Sequence, residues 1–199
     1  AHRALATLER QGVVSLVITQ NVDRLHQRAG SSAVVDLHGR LDRVRCLGCA
    51  AFIDREVMQQ RLARANPQLA TRPQASAQRP DGDMALPDTL AIDTQVPPCE
   101  VCGDVLMPDV VFFGGNVPAE RVLRANEALA AADALLVIGS SLQVYSGFRF
   151  CRRAREQNKA LLIINPGLTR ADALATLKLS TPCETLLDAA ITGTFTANT

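Results

Sequence analysis

Four cysteines stand in two pairs, Cys46-Leu47-Gly48-Cys49 and Cys99-Glu100-Val101-Cys102, with residues 50–98 between them. The tight turn inside each C-x2-C pair lets two thiolates reach one ion, and two such pairs meet the needs of tetrahedral zinc. Four thiolates fill the coordination shell and leave no place for water. The expected metal is therefore one structural Zn2+ held by Cys46, Cys49, Cys99 and Cys102. The competing pairing, two disulfides, needs an oxidising compartment that nothing in the sequence indicates. A second group of chemically capable residues follows three apolar runs. VVSLVIT (13–19) leads into Gln20, Asn21, Val22 and Asp23; ALLVIG (134–139) leads into Ser140 and Ser141; ALLII (160–164) leads into Asn165, Pro166 and Gly167. Amide, carboxylate and hydroxyl groups gathered at such endings can grip a polar ligand. Any one ending alone reads as a turn, which Asn, Asp, Ser and Gly form well.

The elements that must position these groups follow from the same runs. Continuous rather than alternating apolarity suggests strands covered on both faces, as in a parallel sheet flanked by helices. Helices are expected over 119–131, 147–157 and 186–191. Strand and helix alternation of this kind implies an α/β fold with a doubly wound, Rossmann-like parallel sheet, and such sheets bind ligands beyond the carboxyl ends of their strands. Three strands with the same polar ending therefore favour a binding edge over three unrelated turns. Histidine is scarce, with only His2, His26 and His38. The residue pattern alone gives each a structural role: His2 at the surface, His26 hydrogen-bonded on a helical turn after Asp23.

At 199 residues the chain can hold one main core plus a small module. It is 47% hydrophobic and 21% charged with a formal net charge of +1, which lacks the basic excess that backbone binding to nucleic acid usually demands. No apolar run approaches the roughly 20 residues needed to span a bilayer, so no membrane partner is expected. Nothing near Ala1 resembles a signal peptide, giving a cytoplasmic expectation, or a mitochondrial one if a transit peptide precedes Ala1. AHRALATLERQG reads as the middle and end of an amphipathic helix without a start signal. Residues 66–98 are polar and punctuated by Pro67, Pro73, Pro80, Pro87, Pro97 and Pro98, and read as a long mobile loop. The expected division is 1–40 with 105–199 as the Rossmann-like domain and 41–104 as the zinc-binding module.

In order, TQNVDRLH, VVDLHGRL, the two cysteine pairs, PDVVFFGG, IGSSLQV and IINPG resemble the sirtuins, the NAD-dependent protein-lysine deacylases. The variants GSSLQVYSG and LKLSTPCETLL look most like the class II branch. The resemblance implies NAD as co-substrate, bound by the Rossmann-like domain, and acylated lysine in protein substrates as partner. The acyl group would pass to ADP-ribose with release of nicotinamide. It makes His38 the general base, an imidazole being suited to taking a proton from a ribose hydroxyl near neutral pH. Gln20, Asn21, Val22 and Asp23 would line the nicotinamide and ribose pocket. Gly139, Ser140 and Ser141 would meet ribose and phosphates, Asn165, Pro166 and Gly167 the adenosine side, and Cys183 the adenine ring. Val110, Val111, Phe112, Phe113 and Gly114 would pair with the substrate peptide and line a water-poor acyl-lysine tunnel. Without the resemblance, PDVVFFGG reads as plain core, and the reading adopted is mixed, with Phe113 partly serving packing.

The chain departs from the family pattern in three places. The family's glycine-rich phosphate turn has no counterpart in these residues, which predicts weak or no catalysis by this stretch alone. Gly115 stands where an acidic residue is common, and Ser146 where proline is frequent. Two other readings stay open: protein ADP-ribosylation on the same fold, and a non-catalytic, zinc-stabilised module that binds a nucleotide or a protein.

Overall fold

The computed structural model describes residues 1–69 and 94–192. Most of the proline-rich excursion, 70–93, lies outside the described residues. Contacts divide the chain into two compact units, Ala1–Gly39 with Val110–Thr199, and Arg40–Asp109.

The first unit is α/β. Helix α1 spans His2–Arg10, strand β1 Val17–Thr19, helix α2 Leu25–Arg28 and strand β2 Val34–Asp36. After the second unit, helix α4 spans Ala119–Ala131, β6 Ala134–Ile138, α5 Tyr145–Glu156, β7 Ala160–Ile164, β8 Leu177–Leu179 and α6 Cys183–Thr192. β1 and β2 pair in parallel, Val17 opposite Val34 and Thr19 opposite Asp36. β6, β7 and β8 form a second parallel ladder in that order. One helix ties the two ladders together without any hydrogen bond between them. Phe150 and Ala154 of α5 share a core with Val35, Leu37, Ala125 and Leu129, while Cys151 packs with Val137, Leu161 and Ile163. The helical period turns neighbouring residues to different sides, so α5 lies over both. Burial of Leu37 and Leu161, both fully buried, contributes about 2 kcal/mol each.

The first strand is shorter than its apolar run. Gly12 adopts φ +75, the N–H of Gly12 donates to the Glu9 carbonyl, and that of Val13 to the Leu8 carbonyl, which closes α1 in a Schellman motif. Val13 and Val14 are spent on that cap, and Val13 is mostly exposed. Glu9 anchors the same helix to the start of β2. Its Oε1 accepts from the Ser32 hydroxyl and N–H and from the Ala33 N–H at 2.7–2.8 Å, and these bonds hold its carboxyl down at about 2.

The second unit holds β3 (Gly39–Cys46), β4 (Phe52–Asp54), α3 (Arg55–Ala65) and β5 (Leu106–Val110), with strand order β4-β3-β5. Its core is small: Val44, Cys46, Met58, Cys99 and Leu106. Arg43 lies 3.9 Å from the Phe52 ring centre and pairs with the buried Asp109 at 2.6 Å. Residue 66, the expected start of a loop, is instead pinned. Asn66 is 1% exposed; its amide donates to the Leu62 and Gln95 carbonyls, both at 2.8 Å, and its Oδ1 accepts from the Gln95 N–H at 2.7 Å. One side chain thus clasps both ends of the excursion. Asn66→Ala removes the three hydrogen bonds of a buried amide and is expected to cost about 1–2 kcal/mol. Chemical denaturation followed in the 40–109 unit should show an earlier midpoint; an unchanged midpoint would count against the clasp.

Candidate functional site

The four cysteine sulfurs gather within 4.8 Å of one another. The Sγ atoms of Cys46 and Cys102 are 3.4 Å apart and those of Cys49 and Cys99 3.7 Å, far too long for disulfides. A zinc ion with Zn–S bonds of about 2.3 Å needs sulfurs about 3.8 Å apart, so the donor set fits the ion. Two turns make the site. The N–H of Cys46 donates to the Ala51 carbonyl, that of Cys99 to the Asp104 carbonyl, and that of Gly103 to the Cys99 carbonyl. Gly103 sits at φ +79, and a Cβ on Gly48 would lie 2.4 Å from Asp104 Oδ2, so both glycines are required by geometry. Backbone N–H groups of Cys102 and Val101 pull the Cys99 thiol down to about 7. The Asp104 N–H also pulls on Cys102, but the neighbouring Cys46 and Cys49 thiols outweigh it and push Cys102 up to about 12. Four crowded thiols cannot all ionise without a cation among them.

In the first unit the strand ends carry the polar groups. After β1, the Asn21 N–H donates to Thr19 Oγ1 at 3.1 Å and Asn21 itself is exposed. Asp23 is exposed and accepts from the Leu25 N–H at 2.9 Å, which engages one of its oxygens in starting α2. Val22 is half-buried between them. Arg24 is held at φ +65, a conformation rare for a residue with a side chain, and its guanidinium pairs with Asp36 at the end of β2. Gln27 donates to the other Asp36 oxygen at 2.9 Å. Asp36, Arg24 and Gln27 together fasten the QNVD segment to β2. Sequence reasoning missed this brace because its partners lie on two elements.

His38 follows β2 directly, between the buried Leu37 and Gly39. Its Nε2 is 2.7 Å from Ser146 Oγ, and its carbonyl accepts from the Val111 N–H at 2.8 Å. Gln20 reaches the same serine, with Nε2 3.1 Å from its oxygen. Burial lowers the proton affinity of the ring, a hydrogen bond to the Gln20 backbone opposes this, and Arg121 lowers it further. The ring is thus held neutral at pH values where a free histidine would begin to charge. His26 departs from its expected hydrogen-bonded role: its Nδ1 is buried without a partner among the described residues, and its ring meets His2 edge-on at 4.6 Å. His2 is accordingly half-buried and not a free surface residue.

At the ends of the other ladder, Gly139 has φ +60 and donates to the Ile164 carbonyl, and Asn165 donates to the Leu179 carbonyl. Ser140 Oγ accepts from the Leu142 N–H at 3.2 Å, the Ser141 carbonyl accepts from the Arg170 N–H at 2.9 Å, and Asn165 Nδ2 donates to the Gly167 carbonyl at 2.9 Å. Ser141, Pro166 and Gly167 are exposed. Cys183 opens α6 beside a cluster of Ala4, Leu5, Leu8 and Leu187 that Ile138, the last residue of β6, also joins. Burial raises its thiol pKa, and Glu184 adds to the rise. Cys151 is a buried thiol, pushed up to about 11 by desolvation. Val110 ends β5 and Val111 is half-buried; Phe112 is 54% exposed, Phe113 is fully exposed, and Gly114 is exposed at φ +81. The alternative of plain core for PDVVFFGG is therefore corrected, since its phenylalanines face solvent. Their backbone turns at once, the Gly115 N–H donating to the Phe112 carbonyl at 2.9 Å.

Among the described residues no helix is long and apolar enough to cross a membrane. The family model for the Sir2 family matches residues 1–146. An NAD-dependent protein deacetylase of Xanthomonas axonopodis pv. citri (strain 306) is 55% identical over 182 residues, covering 92% of this chain and 61% of the relative. NAD-dependent protein deacetylase 2 of Bradyrhizobium diazoefficiens is 50% identical over 187 residues, covering 94% of this chain and 68% of the relative. The chain thus spans about three fifths of the Xanthomonas relative's length. Among solved structures, one described as Sir2 with p53 peptide and NAD+ is 31% identical with a TM-score of 0.75, covering 98% of this chain and 70% of that one. Another, Sir2 bound to acetylated peptide, is 30% identical with a TM-score of 0.75 over 98% of this chain and 70% of that one. On both sequence and fold, the chain belongs to the Sir2 family.

Proposed function

We propose that this chain carries the catalytic base and much of the ligand-binding edge of an NAD-dependent protein-lysine deacylase. The observation that carries the reading is the His38 imidazole, fixed where a parallel strand ends and hydrogen-bonded through Ser146 to Gln20 at the neighbouring strand's end. The relatives named as NAD-dependent protein deacetylases support it.

The dinucleotide supplies a sugar carbon made electrophilic when nicotinamide leaves, and a ribose hydroxyl that takes up the acyl group. The protein supplies position and proton transfer. The exposed Asn21 amide and the remaining Asp23 oxygen suit a carboxamide, and Gln20 with Val22 completes that pocket. Gly139, Ser140 and Ser141, with Asn165, Pro166 and Gly167, give hydroxyl, amide and backbone groups for riboses and phosphates, and Cys183 marks the adenine side. Exposed Phe112 and Phe113, on the turn that follows β5, with Val110, Val111 and Gly114, offer an apolar surface that can shed water from an acyl-lysine, and the main chain entering that turn can pair with the substrate peptide. His38 accepts the ribose hydroxyl proton. The four-cysteine site, closed to water, takes no part in these steps.

Incubating the full-length protein with an acyl-lysine peptide and NAD should yield nicotinamide, O-acyl-ADP-ribose and free lysine in equal amounts. Transfer of label from NAD onto protein, with no O-acyl-ADP-ribose, would replace this reading with ADP-ribosylation.

A further inference from the structure

Ser146 is a buried hydroxyl placed between two of the groups just assigned. It lies in the first turn of α5, is 7% exposed, and meets His38 Nε2 at 2.7 Å and Gln20 Nε2 at 3.1 Å. Three elements converge there: Gln20 from the end of β1, His38 from the end of β2, and Ser146 from α5. The next residue eases the approach. A Cβ on Gly147 would stand 2.8 Å from Gln20 Oε1 and 2.9 Å from its Cδ, so a larger residue there would push the Gln20 amide out of this position.

Donor and acceptor counting leaves the Ser146 hydroxyl two ways to meet His38 Nε2: it donates its hydrogen to a bare nitrogen, or its second lone pair accepts an Nε2–H. An amide nitrogen can only donate, so the Ser146 oxygen accepts from Gln20. The serine's single hydrogen is then available to one partner, and the atom 2.7 Å away is His38 Nε2. When Nε2 accepts it carries no proton, which leaves the proton on Nδ1, and a hydrogen bond to the Gln20 backbone that raises the ring's proton affinity is in keeping with a ring N–H donating there. Gln20 therefore touches the imidazole twice, through its main chain and through the serine. We propose that Ser146 is a positioning residue for His38: its hydroxyl, oriented by the Gln20 amide, holds the imidazole as the neutral Nδ1–H tautomer with Nε2 as the basic atom. The inference rests on the reading of His38 as general base, but the hold on the ring stands on geometry alone.

The test uses the full-length protein and two readouts. Nitrogen-15 NMR of the ring nitrogens, with the His38 signals identified by their loss in His38→Ala, reports the tautomer without any turnover. Wild type should show Nδ1–H, and Ser146→Ala should move the ring toward Nε2–H, the form an unconstrained histidine prefers. Ser146→Thr, which keeps the hydroxyl, should restore Nδ1–H. In parallel, Ser146→Ala should lower kcat for deacylation by about tenfold, with KM for NAD and peptide changed less than about twofold. An Nε2–H ring in wild type, or a tautomer indifferent to Ser146→Ala, overturns the proposal even if the protein deacylates peptides. A tautomer that shifts in a protein without deacylase activity sustains the serine's hold and removes only the deacylase reading.

Discussion

Replacing His38 with alanine is expected to lower the rate of deacylation by roughly 10²–10⁴-fold, the usual worth of a positioned general base. The argument is local. The backbone at His38 is held from two sides, by the buried Leu37 and by the Val111 N–H on its carbonyl, so truncating the ring removes the base without moving the strand. On the proposed assignment NAD is held by the Gln20–Asp23 segment and the ends of β6 and β7, so its KM should change little. The pH profile gives a second check. Burial, outweighing the Gln20 backbone bond, sets the pKa of His38 below the free value of 6.5. Because the base must be neutral, wild-type rate should hold through pH 6.5 and fall only as pH drops through that lowered value. The same shift acts on stability with the matching sign: the unfolded state binds the proton more readily, so stability is full above 6.5 and erodes as pH falls through the folded pKa. A His38→Ala protein that turns over at the wild-type rate would refute the role.

What the sequence reveals about this site depends on how far apart the cooperating residues stand. α4 and β7 lie where periodicity and apolar content place them, at 119–131 and 160–164, because each is decided by its own residues against a core. The cysteine quartet is equally legible, since a C-x2-C turn is a local requirement of the metal. The start of β1 is misjudged because Val13 and Val14 follow a Gly12 that closes α1; apolar content alone does not tell a helix cap from a strand. α5 begins two residues before the expected Gly147, whose lack of a side chain serves Gln20 and not the helix start. Ser146 and the Arg24–Asp36 brace leave no trace in spacing. Ser146 stands 108 positions from His38 and 126 from Gln20, and only folding brings them together. Phe112 and Phe113 show the converse limit: apolar type predicts burial on average, and these two side chains, proposed above as a peptide surface, depart from that average.

Removing one zinc ligand should undo the second unit. Without the metal, the described part of residues 40–109 rests on Val44, Met58 and Leu106 plus two of the cysteines themselves, with Ala51, Ile53 and Leu62 partly buried against them, which is little to order so small a module. Structural zinc contributes on the order of 10–16 kcal/mol at neutral pH, more than such a core can replace. Cys99→Ser is the sharpest version. Cys99 is 3% exposed, lies in that core, and carries the thiol drawn down to about 7, the readiest of the two shifted thiols to ligate. The variant should bind less than one metal per chain. In hydrogen exchange, β3, β4 and β5 should lose protection while β6 and β7, whose ladder is complete within the first unit, keep theirs. A strong chelator should do the same to the wild-type protein, and mild acid should assist it, because every ligand must be a thiolate to hold the ion. Full protection of β3 in a metal-free Cys99→Ser protein would show that the module folds on its hydrophobic contacts alone and that the cysteine quartet serves some purpose other than stability.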